Sequence, residues 1–242
     1  DTKPHAYYQL SLDRSKVTFI KTNRDYLDCM TLLMSEPLVA IDCEFQTKAL
    51  LEKTDQASIL QMATPTQVFI IDMKSLCQTL DYSDIYSLNF FFTDDKIRKI
   101  GYGVRTDISV LENTHSALRG LSKDVKNVLD LAELEHEMRN KPLFYLPYKA
   151  EESKGLSGLV KQSFGIPLDK RCQMSHWDKR PLAENQLVYA ALDAFVLIEI
   201  YQLFRNLVRN DKTRVLDFTQ LTNSLSNSKT RALMTKKTRR RH

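Results

Sequence analysis

The sequence predicts an α/β domain with a mixed central sheet of about five strands flanked by α-helices. Short apolar, β-branched runs alternate with stretches at helical spacing along most of the chain. Two such runs, Ala57–Ala63 and 67–72, are separated only by the turn Thr64-Pro65-Thr66, so they form an antiparallel hairpin and the sheet cannot be wholly parallel. The run Leu38–Phe45 is apolar throughout except for Asp42 and Glu44, as suits a strand covered on both faces.

Taken in order, residues 1–15 are a polar, extended lead-in and 16–20 a short strand. Thr22 or Asn23 can cap a helix over 24–34, where Tyr26, Leu27, Met30, Leu33 and Met34 recur at helical spacing and Pro37 ends the pattern. After the strand at 38–45 comes a polar connection, 46–56, then the hairpin and a helix over 83–92. Residues 96–102 read as a strand whose exit is loosened by Gly101 and Gly103, followed by a helix over 105–113. A short strand at 127–131 runs into a helix carrying Leu131, Leu134 and Met138. Residues 139–154, with Phe144, Tyr145 and Tyr148, form a long loop. A helix over 156–164 stops at Gly165, and 169–180 is irregular and basic, with the sole tryptophan, Trp177. Pro181 opens a long helix over 182–209. The domain plan is thus a lead-in (1–15), a folded domain (16–210) and a basic, flexible tail (211–242).

Composition sets the class. The 242 residues are 43% hydrophobic and 27% charged, the balance of an ordinary globular protein. No apolar run approaches the roughly 20 residues of a membrane span, and no signal segment opens the chain. The start at Asp1 rather than Met is expected of a piece of a longer protein. Four scattered cysteines (Cys29, Cys43, Cys77, Cys172) read as reduced core residues of an intracellular protein, with neither a disulfide framework nor a zinc site. The net charge of +5 is unevenly spread: residues 205–242 hold eleven Lys/Arg against two Asp, and residues 1–204 hold 24 basic against 28 acidic side chains. A basic end of this kind suits nucleic-acid contact, nuclear import or a solvated tail.

Side chains alternate along a strand, so Val39, Ile41, Cys43 and Phe45 share one face, while Asp42 and Glu44 project from the other, roughly 7 Å apart. Two carboxylates on a buried strand repel one another and lose hydration, so a cation is expected between them. The long helix is apolar almost all round and therefore buried, yet between Gln186 and Ile198 it carries one charge, Asp193. Tyr189, one turn earlier, shares its face. No Lys or Arg lies one turn from Asp193, which favours metal binding over a local ion pair, with a distant Arg the alternative. Asp107 follows a strand in the first turn of a helix, where an acid is also favoured by the macrodipole alone. Asp130, at a strand end, is a weaker candidate of the same kind.

Together these residues resemble the DEDD superfamily of 3′–5′ exonucleases. The first motif matches Val39-Ala-Ile-Asp-Cys-Glu-Phe45, the second Lys99-Ile-Gly-Tyr-Gly-Val-Arg-Thr-Asp107 and the third Gln186-Leu-Val-Tyr-Ala-Ala-Leu-Asp-Ala194. Tyr189 in Tyr-x-x-x-Asp places the resemblance in the tyrosine subgroup, with ribonuclease D and the Werner exonuclease domain. The histidine subgroup would carry His where Val188 stands. Ser58-Ile-Leu-Gln-Met-Ala63, Leu156-Ser-Gly-Leu159 and Ser175-His-Trp-Asp-Lys-Arg-Pro-Leu182 match further, and the likeness runs from about residue 16 to 207. Within the subgroup the sequence is most similar to the Nibbler-type branch, which trims small-RNA 3′ ends.

This resemblance implies a ribonuclease-H-like fold and two divalent cations, Mg²⁺ or Mn²⁺, held by carboxylates. It implies that Asp42, Glu44 and Asp193 hold the cation that carries the attacking water. Asp42 would bridge to a second cation, supported by Asp107, that stabilises the leaving 3′-oxygen. Tyr189 would orient the water rather than deprotonate it, because a phenol near pKa 10 is a poor base at neutral pH. The implied activity is trimming of single-stranded RNA 3′ ends, releasing nucleoside 5′-monophosphates. The implied partners are a free 3′ end and a small-RNA-loading protein bound through flanking regions. A monomer, no membrane, and a cytoplasmic location with nuclear entry permitted by the basic tail complete the expectation. Rival readings are a Werner-type DNA exonuclease and a catalytically silent binding module. The five histidines lack metal-ligand spacing. Trp177 packs beneath the irregular segment or stacks a base, and Phe144, Tyr145 and Tyr148 are either loop packing or stacking groups. Lys170, Arg171, Lys179 and Arg180 are candidates for phosphate contact, Arg180 equally for a structural ion pair.

Overall fold

The computed structural model describes residues 6–46, 55–140, 145–148, 155–209 and 217–226. Strand β1 (Val17–Ile20) and helix α1 (Asn23–Leu33) precede the central strand β2 (Leu38–Phe45). The hairpin β3 (Ala57–Ala63) and β4 (Val68–Ile71) follows, then α2 (Met73–Leu76), α3 (Tyr82–Thr93) and β5 (Arg98–Gly101). Next come α4 (Arg105–Thr114), α5 (Leu121–Asp124), β6 (Val128–Asp130), α6 (Leu131–Arg139), α7 (Gly155–Phe164) and α8 (Glu184–Arg209). A last helix, α9, spans 218–226. Thr22 caps α1, its hydroxyl oxygen accepting from the Asp25 amide at 3.2 Å.

The strands lie in the order β1-β4-β3-β2-β5-β6. β2–β3 and β3–β4 are antiparallel; β1–β4, β2–β5 and β5–β6 are parallel. The sheet has six strands rather than about five. Its edges, β1 and β6, are four and three residues long and fall within the runs 16–20 and 127–131 already read as strands. Each face is covered. Val39, Ile41 and Cys43 of β2 pack with Leu60, Met62 and helices α1 to α4. Ala40, Ile59, Ala63 and Ile100 pack with α6, α7 and α8 on the other. The strand alternation expected for β2 therefore holds, and it assigns Asp42 and Glu44 to the α8 face.

Three further departures from the sequence expectation stand out. Helix α8 begins at Glu184, not 182: the Ala183 amide donates to the Gln186 side chain, and Arg180, just before Pro181, is tied to Asp72. By length and composition 184–208 could cross a membrane, contrary to expectation, but 67% of its most apolar window is buried inside the fold, so it is a core helix. The lead-in is packed, not merely extended: Tyr8 stacks on Phe164 with ring centres 4.9 Å apart and donates its amide to Pro167.

The region assigned to a flexible tail contains α9, which docks on the body. Phe218 packs on Tyr201, and Arg98 donates to Thr222 at 2.8 Å and to Asn223. Its apolar positions, Phe218, Leu221 and Leu225, are too sparse to announce a helix without the surface they meet. The rest of 211–242, most of the connection 46–56, and Phe144 lie outside the described residues. Tyr145 and Tyr148 are exposed, and Tyr148 donates its amide to Gln162.

Candidate metal centre

Asp42 and Glu44 sit at the middle of the sheet, opposite Gln61 and Ile59 of β3. Helix α8 crosses this face and delivers Asp193, so that one carboxylate oxygen from each of Asp42, Glu44 and Asp193 lies within 4.8 Å of the other two. Asp107 enters from another direction. β5 ends beside β2, and the chain turns at Gly101–Gly103 before α4 starts. Gly103 holds φ +67°, and a Cβ at Gly101 would lie 2.7 Å from the Val104 side chain, so both glycines are needed for this tight turn. The Cys43 backbone lies near the Asp107 carboxylate and lowers its pKa, so the turn meets β2 here. Asp107 lines the same cleft as the trio but stands outside their 4.8 Å convergence.

Asp130 does not line the cleft. Its carboxylate accepts from the amides of Gly103 at 3.1 Å and Ala132 at 3.0 Å, so it caps α6 and holds the turn that carries Asp107.

The electrostatics of the cluster follow from burial. Asp42 is pushed well above the ordinary carboxylate range by desolvation, then by the charges of Asp107, Asp193 and Glu44. Glu44 rises to about 9, from burial and then the Asp193 charge. Asp107 rises to about 7, through burial and the charge of Asp130, with its own amide and that of Cys43 opposing. Asp193 is raised by burial, against the pull of Lys170 and the Tyr189 hydroxyl. Asp193 Oδ1 is buried without a hydrogen-bond partner. Four crowded carboxyls with an orphaned oxygen aimed among them form an all-oxygen donor set, the chemistry of a hard divalent cation.

Tyr189 lies one turn from Asp193 on α8, and its ionisation is pushed further above 10 by burial and then by the Asp193 and Glu44 charges. The five residues singled out in the sequence thus meet in one cleft of about 610 Å³. Its rim includes Phe45, Leu156 and the exposed Met174.

A 3′-5′ exonuclease family model matches residues 17–209, which is most of the chain. The chain belongs to the 3′–5′ exonuclease family. The human exonuclease mut-7 homolog is 34% identical over 205 residues, covering 81% of this chain and 23% of that protein. A ribonuclease D of Gluconacetobacter diazotrophicus is 26% identical over 186 residues, covering 76% of this chain and 41% of that protein. The crystal structure of the Aedes aegypti Nibbler EXO domain superposes with a TM-score of 0.81 at 28% identity, covering 90% of this chain and 99% of that one. The chain therefore spans well under half the length of these curated relatives but nearly all of a solved exonuclease domain.

Within this exonuclease domain the irregular segment 169–180 is held by side chains rather than by regular structure. Arg180 pairs with buried Asp72 through two contacts of 2.6 and 2.8 Å and donates to the Ser58 carbonyl. Burial raises Asp72, but the Arg180 and Ser75 hydrogen bonds outweigh it and hold its carboxyl below the usual range. Arg180 is thus a structural ion pair rather than a phosphate contact. Asp178 accepts from Ser58 and pairs with Lys74 at 3.2 Å. Trp177 is fully buried, donates to the Gln173 carbonyl and lies 6.0 Å from the Tyr189 ring, so it supports Tyr189 and cannot stack a base. Arg171 pairs with Asp169. Lys170 reaches Asp193 at 3.8 Å. The sequence offered a choice among four basic residues here and no signal that singled out Lys170.

Proposed function

We propose that this domain is a metal-dependent 3′–5′ exoribonuclease that trims single-stranded RNA 3′ ends and releases nucleoside 5′-monophosphates. The observation that carries the reading is the convergence of the Asp42, Glu44 and Asp193 carboxylates at the floor of an open cleft, with Asp107 and Tyr189 in the walls, on the exonuclease-family fold. Asp42, Glu44 and Asp193 would hold one divalent cation; Asp42 and Asp107 would hold the second. Mg²⁺ and Mn²⁺ suit this all-oxygen set. Bound there, such cations supply the positive charge and water activation that phosphodiester hydrolysis needs. Tyr189 keeps its phenolic proton and would position the attacking water through its hydroxyl, beside Asp193 on the same face of α8. The apolar rim of Phe45, Leu156 and Met174 receives the terminal bases.

RNA is favoured over DNA by the likeness to a ribonuclease D, and small-RNA maturation by the likeness to mut-7 and Nibbler proteins. In that role the domain would act as a monomer in the cytoplasm, on RNA presented by a small-RNA-loading protein bound to flanking regions. The test uses 5′-labelled RNA and DNA of one sequence with Mg²⁺, Mn²⁺ or EDTA. A ladder shortening from the 3′ end of the RNA, lost in EDTA, is expected. Asp42→Ala and Asp193→Asn should each slow it by at least about a hundredfold, the scale of single electrostatic groups in active sites. Internal cuts, activity in EDTA, or undiminished variants would overturn the reading; binding without cleavage would favour a silent module.

A further inference from the structure

Lys170 sits on the irregular segment between α7 and α8, and its ammonium lies 3.8 Å from Asp193 Oδ2 and 5.8 Å from the centre of the Tyr189 ring. Of the other basic groups of that region, Lys179 is exposed and does not line the cleft, and three are engaged elsewhere. Arg171 forks onto Asp169 and covers the Tyr7 ring, Arg180 is locked to Asp72, and Lys74 is held by Asp178. Among the described residues lining the cleft, Lys170 is the only Lys or Arg. Its side chain is 34% exposed against 5% for Asp193, so the ammonium stands between the acids and the open cleft. A distance of 3.8 Å exceeds the roughly 2.7–2.9 Å of a charge-assisted hydrogen bond, so Lys170 neutralises the cluster without being clamped to it. The field of Lys170 also reaches Asp42 and Glu44, opposing the effect of their burial.

We propose that Lys170 is a resident counter-ion of the acid cluster, standing beside Asp193 in place of a divalent cation and turning to a non-bridging phosphate oxygen of the substrate once a cation displaces it. This rests on the exonuclease reading above. Two cations cannot share Asp193 at close range without repelling, and the flexible four-carbon stem gives the displaced ammonium reach. The anionic linkage entering the same cleft is its next partner. The ammonium acts as a point charge on that phosphate, and it neither gives nor takes a proton in the reaction.

The experiment compares the parent chain with Lys170→Met and Lys170→Arg. Mn²⁺ affinity is measured by calorimetry without substrate, melting temperature in EDTA and in Mn²⁺, and kcat and KM on single-stranded RNA. Lys170→Met is expected to bind Mn²⁺ about tenfold more tightly, a usual size for coupling between two ligands of one site. It should melt lower than the parent in EDTA and gain more on Mn²⁺ addition. Its kcat should fall by about a hundredfold. Lys170→Arg should restore most of the rate and the parental Mn²⁺ affinity. A purely structural lysine would instead weaken Mn²⁺ binding when removed. Lys170→Met binding Mn²⁺ no tighter than the parent, or cleaving RNA as fast, would overturn the proposal. If the parent itself fails to shorten RNA, the exonuclease reading and the phosphate half fall together, and the Mn²⁺ titration alone then judges the counter-ion half.

Discussion

Tyr189 and Lys99 illustrate what burial does to a single polar side chain in this fold. The Tyr189 hydroxyl lies beside acids that make its ionisation harder, which suits the orienting role proposed for it over that of a base. Tyr189→Phe is accordingly expected to lower kcat by about a hundredfold while leaving KM little changed, as steady-state kinetics on a labelled RNA would register. Lys99 lies far from that cleft, fully buried on β5, and donates to the Asp94 carbonyl at 2.6 Å. Burial depresses its pKa from 10.5 to about 7, against the attraction of Asp94 and Asp95. Between those values the unfolded chain holds a proton that the folded chain has shed, so this residue makes stability rise with pH across that window. Urea denaturation at pH 7 and pH 9.5 should show a smaller gain for Lys99→Met than for the parent.

The element that the site depends on most is one with no regular structure. Segment 169–180 lies between α7 and α8 and presents Lys170 to the acids, while its far end is anchored by Arg180 on Asp72 and by Asp178 on Ser58. Removing one partner of a buried pair leaves the other charge uncompensated, which costs about 3–5 kcal/mol. Arg180 is partly exposed, so Arg180→Met should lie near the lower end, about 3 kcal/mol in chemical denaturation, with lost activity following the displaced segment. The turn before α4 works in the same way on a smaller span: Asp130 lies outside the cleft lining yet holds the backbone that carries Asp107.

Across the described residues the sheet separates two cores; Asp107 reaches the cleft from the α4 side, and the other acids lie on the α8 side. That side is extended at both ends of the chain, by the strap around Tyr8 and by α9 on Arg98 and Tyr201. A chain ending at residue 210 should lose about 2–3 kcal/mol, the worth of burying a side chain such as Phe218, seen as a lower melting temperature in EDTA and in Mn²⁺ alike. A truncation that melted like the parent would show that α9 does not support the core.

The sequence by itself determined the α/β class, nearly every element, and the five residues that the fold brings to one cleft. These are properties of local pattern: alternation in β2 aims Asp42 and Glu44 the same way, and a lone acid in an apolar helix marks Asp193 wherever that helix lies. Only the tertiary structure decided the rest. It showed that three of the carboxylates converge while Asp107 stands back, and that Asp130 is a cap. Of four neighbouring basic residues it sent Lys170 to the site and Arg180 to Asp72. It also turned part of an apparent tail into a docked helix. Such outcomes depend on which distant surfaces meet, and a long basic side chain or a sparse apolar stripe reads the same before and after it finds its partner.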